Sequence, residues 1–356
     1  MMWGDVTEDF TKALPKIELH AHLTGSISPE CLHEIWTRKR SSSAGSQLED
    51  PLVACRPEAE HHDILSFFPV FDKYIYNLCD DAESVAFATA QVLKDFEADG
   101  VKYLELRTTP RESLENGMTK DVYVQTVLDT IARHGKASTS TYLILSIDRR
   151  NTLQQAMDTV NLAIKYQQQG VVGIDLCGNP LKGDVTIFRE AFELAKTHGL
   201  KITLHFAEVP QSSTDLELQT LLSYNPDRIG HVIHTTPDIE SEISTRRLGL
   251  ELCLSCNVHA KMLPEGKTQF SDHHFAKWYG GNCPIALCTD DVGIFGSSIS
   301  NEYLLAASHF NLSSYDLWQL CRGAVDSIFG GEEEKKRLYG LLDEFQRVCD
   351  YAETAP

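Results

Sequence analysis

Eight short runs along the chain are apolar at nearly every position, rich in Ile, Val, Leu or Tyr, and bounded by turns or helix starts. Such runs read as buried strands. They cover residues 16–23, 101–108, 141–148, 171–178, 201–208, 228–234, 250–257 and 284–291. Between most of them the apolar spacing changes to a helical period, most clearly at 87–96, 122–132, 153–167 and 187–198. Strands alternating with helices predict a parallel sheet, and eight such units predict an α/β fold of the (β/α)8 TIM-barrel type. From the second run onward the starts lie 40, 30, 30, 27, 22 and 34 residues apart, one strand–helix unit each. The first gap, from Lys16 to Val101, spans 85 residues and requires an insertion after strand one. Within it the polar stretch 41–50 reads as a mobile loop, while 118–136 and a helical C-terminal tail from 313 to about 353 read as extra helices. No Pro-rich linker divides the chain, so residues 1–356 are expected to form one domain.

Charge narrows the partners. The net charge is −19, from 51 acidic against 32 basic side chains. A surface this acidic repels phosphate backbones and anionic lipid, so neither nucleic acid nor a membrane is an expected partner. A small anionic ligand needs only a few local cations and stays possible. No run of 18 apolar residues exists, and Met1–Phe10 carries three acids and no apolar core of a signal peptide, so a cytoplasmic protein is expected. The ten cysteines are scattered. Cys253 and Cys256 form a CxxC inside a strand-like run and, with no second such pair, are expected to be structural.

Buried strands should be apolar to their ends, and barrel enzymes place their chemistry where this rule breaks, at the C-terminal ends. Here strand one ends in His20-Ala21-His22, strand two runs into Arg107-Thr108-Thr109-Pro110-Arg111, and strand three ends at Asp148. Gly178, His205 with Glu208, His231, Asn257 and Thr289-Asp290-Asp291 mark the other five. His20 and His22 are two apart, so both face the barrel axis and can reach one ion. A third histidine on strand five and an aspartate on strand eight complete a set suited to one catalytic zinc. Glu208 reads either as a helix N-terminal charge or as a proton donor kept protonated at the rim of a dry pocket. His231 can orient or deprotonate an attacking water; His234 faces the other way and is expected to be structural. Asp290 and Asp291, being adjacent, should face different sides of a strand and do different jobs.

These residues in this order resemble the adenosine deaminase family of metal-dependent amidohydrolases. The matching pieces are LPKIELHAHLTGS at 14–26, FDKY at 71–74, DLCGNP at 175–180, HFAE at 205–208, RIGHV at 228–232 and CTDD at 288–291. The resemblance implies that His20, His22, His205 and Asp290 bind zinc, with His22 also beside the substrate. It implies Glu208 as the acid that protonates purine N1, His231 as partner of the attacking water, and Gly178 and Asp291 as the grip on purine N3 and N7. The implied reaction is hydrolytic removal of the substituent on purine C6. Phe206-Ala207 and Val292 depart from the best-known members without removing a catalytic group.

The segment KYLELRTTPR at 102–111 resembles the adenosine deaminase-like branch, which acts on N6-methyl-AMP. Read as chemistry, Thr108, Thr109, Pro110 and Arg111 make a phosphate cradle, because Arg offers a fork matched to phosphate oxygens. Thr24 and Tyr76 can add hydrogen bonds, and Asp148 suits a ribose hydroxyl. The expected protein is a monomeric, one-zinc deaminase converting N6-methyl-AMP to IMP and methylamine. A plain adenosine or AMP deaminase is the nearest alternative, and a non-catalytic growth-factor-like relative a remote one.

Overall fold

The computed structural model describes residues 3–40, 48–56, 68–135 and 138–354. Eight parallel strands pair in chain order: β1 (Lys16–His22), β2 (Val101–Thr108), β3 (Ser140–Asp148), β4 (Val171–Cys177), β5 (Lys201–Phe206), β6 (Arg228–His231), β7 (Gly249–Leu252) and β8 (Ile285–Leu287). The sheet closes between its first and last strands. A parallel bridge joins Ala21 to Asp290, with His22 N donating to Asp290 O (2.9 Å) and Asp290 N to His20 O (2.8 Å). The result is the (β/α)8 barrel that the alternation predicts.

Helices cover the outside and start where capping chemistry allows. Asp81 caps Ala82–Ala98, Thr119 caps Lys120–His134, and Thr152 with Gln155 forms a reciprocal capping box for Leu153–Tyr166. Lys120–His134 is the ordinary crossover between β2 and β3 rather than an added element, since its Tyr123, Val124 and Val127 are buried against the barrel. The insertion after β1 includes Pro29–Lys39, a one-turn π-helix at Phe71–Ile75 and the short helix Tyr76–Leu78. The loop expected at 41–50 lies outside the described residues up to position 47. The tail contains two helices, Ser314–Ala324 and Glu332–Thr354. Among the described residues no helix is long and apolar enough to cross a membrane.

Strands five to eight are shorter than their apolar runs. β7 ends at Leu252, and Leu254–His259 is helical, so Cys256 and Asn257 leave the sheet and swing over its C-terminal end. β5 stops at Phe206 because Ala207 is left-handed (φ 54°), and His231 and Asp290 take the same conformation (φ 65° and 61°). Non-glycine residues held there carry strain, and such positions cluster at functional sites.

The two faces of the barrel wall differ sharply. Leu19, Leu104, Leu106, Leu145, Ile174, Ile202, Leu204 and Ile229 are fully buried in the apolar core. The alternate positions hold a charged interior: Glu18, Glu105, Arg107, Asp175, Arg228 and Glu251, each 0–1% exposed.

Candidate active site

Period-two alternation on β1 carries Glu18, His20 and His22 to the axis, where β5 supplies His205 and the bridge at the closing seam supplies Asp290. One ligand atom from each of His20, His22, His205 and Asp290 lies within 4.8 Å of all the others. Asp290 Oδ1 is 3.3 Å from both His20 Nε2 and His22 Nε2, and the Nε2 atoms of His22 and His205 are 3.0 Å apart.

The outer hydrogen bonds decide what this cluster can hold. His20 Nδ1 lies 2.7 Å from Glu251 Oε2, and His205 Nδ1 lies 3.1 Å from Asp175 Oδ1. A carboxylate accepts, so each neutral ring carries its proton on Nδ1 and turns the Nε2 lone pair inward. His20 Nε2 is buried with no hydrogen-bond partner. Converging lone pairs, a carboxylate and an orphaned ring nitrogen fit a single metal ion, and carboxylates behind the imidazoles fix ligand orientation. Burial alone would raise the Asp175 carboxyl, but the neighbouring His205 and Arg107 outweigh it and hold it well below the usual range.

Three further contacts hold the cluster in place. The Cys256 thiol donates to Asp290 Oδ2 (2.9 Å), leaving Oδ1 for the imidazoles. The CxxC expected within a strand therefore places one cysteine, on a helix, against a candidate ligand. Gly230 on β6 leaves room for the His20 ring: a Cβ there would lie 2.7 Å from His20 Cε1. Glu251 accepts four hydrogen bonds, from His20, Arg107, Arg228 and Thr203 (2.6–2.7 Å).

A cleft of about 770 Å³, its open mouth included, stands over the cluster. His22, Thr24, Tyr76, Thr109, Arg111, Asp148, Gly178, His205, Glu208, His231, Asp290 and Asp291 line it. Glu208 Oε1 is buried without a partner, 4.0 Å from His231 Nε2, and burial pushes this carboxyl up to about 6 against the pull of His205 and Arg149. Asp290 and Asp291 both face the cleft, contrary to the expectation of opposite faces. The left-handed turn at Asp290 breaks strand alternation just before the helix Val292–Phe295.

The expected phosphate cradle is divided. Thr109 and Arg111 line the cleft, and Pro110 lines its outer mouth together with Lys120. Thr108 does not line either. It shares the outward face of β2 with Leu104 and Leu106, and its hydroxyl lies 2.7 Å from the Tyr123 hydroxyl. Arg107 points inward and is sealed in the barrel, paired with Glu251 (2.7 Å) and Asp175 (3.3 Å). The Arg111 guanidinium stacks on the Tyr76 ring, 3.2 Å from its centroid.

Arg150, which sequence reasoning did not single out, lines both the cleft and its mouth. It grips Asp148 with Nε on Oδ1 (2.9 Å) and Nη2 on Oδ2 (2.6 Å). Phe68, Phe71 and Met262 supply apolar wall. His234 does not line the cleft, and its Nε2 donates to Met262 O (2.8 Å).

Comparison with known proteins gives the family. The Adenosine deaminase family model matches residues 15–345. The chain is 36% identical to an Arabidopsis thaliana protein named N6-mAMP deaminase, across 94% of this chain and 98% of that protein. It is 35% identical to the Homo sapiens N6-Methyl-AMP deaminase across 93% of each. The crystal structure of the Arabidopsis N6-mAMP deaminase matches at a TM-score of 0.87 and 36% identity, covering 94% of this chain and 99% of that one. A structure of Arabidopsis ADAL complexed with IMP also matches at 0.87 and 36% identity, covering 94% and 98%. With the family model matched over residues 15–345 and relatives 35–36% identical over more than nine-tenths of the chain, this chain belongs to the adenosine deaminase family.

Proposed function

We propose that this chain is a zinc-dependent hydrolase that converts N6-methyl-AMP and water to IMP and methylamine. The observation that carries the reading is a buried carboxyl, Glu208, with its Oε1 free of any hydrogen bond, beside a three-histidine, one-aspartate cluster in a cleft whose mouth presents Arg111. The relatives named above support the substrate. His20, His22, His205 and Asp290 would hold the zinc, which would supply a Lewis acid able to bring the pKa of water near neutrality. Glu208 delivers a proton to purine N1, which makes C6 electrophilic. His231 faces the attacking oxygen, while Gly178 and Asp291 hold the purine ring. Thr24, Tyr76 and Thr109 hydrogen-bond the sugar and phosphate, Asp148, held by Arg150, takes a ribose hydroxyl, and Arg111 neutralises the monophosphate. The buried thiols of Cys253, Cys256 and Cys288, none of them in a disulfide, fit the reducing cytoplasm.

The deciding experiment measures kcat/KM of the zinc-loaded protein on N6-methyl-AMP and on adenosine side by side. Strong preference for the methylated nucleotide is the expected result. Preference for adenosine would keep the chemistry and discard the branch. In the same assay Arg111→Ala is expected to lower kcat/KM for the nucleotide by roughly 10- to 100-fold, the worth of one charge-assisted contact, while the nucleoside loses far less. Equal losses on both would remove Arg111 from the phosphate site.

Asp291 supplies a second test. A Cβ added at Gly25 would lie 1.5 Å from Asp291 Oδ1, so Gly25→Ala must push that carboxyl aside. A displacement of about 1 Å can cost 10²-fold in rate, and kcat/KM is expected to fall by about that much with metal content unchanged. Near wild-type kinetics would mean Asp291 does not position the purine.

A further inference from the structure

The Nδ1 side of His231 faces away from the metal cluster, into a chain of buried hydrogen bonds whose direction is set at its far end. The Phe275 backbone N–H, which can only donate, points at His273 Nδ1 (3.0 Å). That nitrogen accepts, so the His273 proton sits on Nε2, 3.0 Å from Asn257 Oδ1. With its oxygen accepting from His273, Asn257 turns its amide nitrogen towards His231 Nδ1, also at 3.0 Å. The second amide N–H reaches Met262 Sδ (3.7 Å), an atom that only accepts. The opposite amide orientation would set NH2 against the His273 Nε2–H and oxygen against the sulfur, so both ends of the chain agree. His274 braces the arrangement from the side, stacking on His273 at 4.1 Å between centroids and donating Nε2–H to the His231 carbonyl.

We infer that Asn257 is a positioning residue that fixes His231 as the neutral Nε2–H tautomer. His231 Nε2 lies 3.8 Å from Asp290 Oδ2 and 4.0 Å from Glu208 Oε1, at the reacting centre. It therefore presents a hydrogen-bond donor there rather than a lone pair. It orients the attacking oxygen by donating to it and does not take its proton. This inference rests on the proposed function only for what occupies the centre; the tautomer itself does not depend on the substrate.

The test is ring-nitrogen NMR of the zinc-loaded, 15N-histidine-labelled protein, with His231 assigned by the signals lost in His231→Asn. The expected spectrum has a protonated Nε2 and an unprotonated Nδ1 at His231. Asn257→Asp offers only acceptors, so it should move the proton to Nδ1 and lower kcat by about 10²–10⁴-fold, with KM and zinc content nearly unchanged. A wild-type spectrum with the proton on Nδ1 overturns the inference, whether or not the variant folds. A variant in which the proton moves yet kcat is retained overturns the catalytic consequence. Absence of activity on N6-methyl-AMP with the expected spectrum would instead count against the substrate.

Discussion

Glu208→Gln is expected to lower kcat by about 10²–10⁴-fold, the usual worth of a positioned acid, with KM and zinc content close to wild type. Glutamine keeps the shape and the hydrogen-bonding reach of the side chain and removes only its dissociable proton. That proton is available near neutral pH because the carboxyl is buried, its Oε1 unpartnered and its titration pushed up to about 6. Steady-state kinetics paired with metal analysis separate this from a packing defect. A variant that turns over at the wild-type rate would leave Glu208 without the acid role, whatever the rest of the site does.

The second large effect lies below the cleft. Glu251→Gln is expected to destabilise the fold by roughly 3–5 kcal/mol, because two buried guanidiniums lose their shared counter-charge at once. Burial alone would raise the Glu251 carboxyl, yet Arg107, Arg228 and His20 hold it well below the ordinary range. Its four hydrogen bonds include the one that sets the His20 ring, so zinc affinity should fall as well, by about 10- to 100-fold. Thermal unfolding and competition with a chelator read the two effects separately. Unchanged melting would show that the interior charges are not coupled through this residue. Unchanged affinity would show that His20 is held by packing alone.

Much of the site was legible because strand alternation and chemistry act on the same residues. His20 and His22 share a parity, so their common target followed from spacing alone, and the polar strand ends marked the rim of the cleft. The same parity, carried further, would have separated Thr108 from Arg107 and Thr109, since the first falls on the apolar face of β2 and the others do not. It would also have marked Glu18 and Thr203, each two residues before a functional position, and Asp175 on β4, all three inside the barrel. These were passed over because a single acid in an apolar run looks like noise until its partner strand is known. Glu251 meets Arg107 and Arg228 across 144 and 23 residues, and no local pattern carries that pairing. Likewise Asn257 and Cys256 were read as strand residues, because an apolar run cannot show where a strand gives way to a short buried helix. The left-handed residues Ala207, His231 and Asp290 ended alternation where the sequence alone suggested it continued.

The bridge between Ala21 and Asp290 joins the first strand to the segment that follows the last, and it sets His20 and His22, on either side of Ala21, against Asp290, three of the four groups that could hold a metal ion. During synthesis the two histidines of β1 leave the ribosome some 270 residues before the aspartate that completes their site. A nascent chain with seven strands therefore lacks one of the four candidate groups, and the cluster is complete only once the barrel has closed in the correct register. Closure of the barrel and completion of the candidate metal site are thus one structural event.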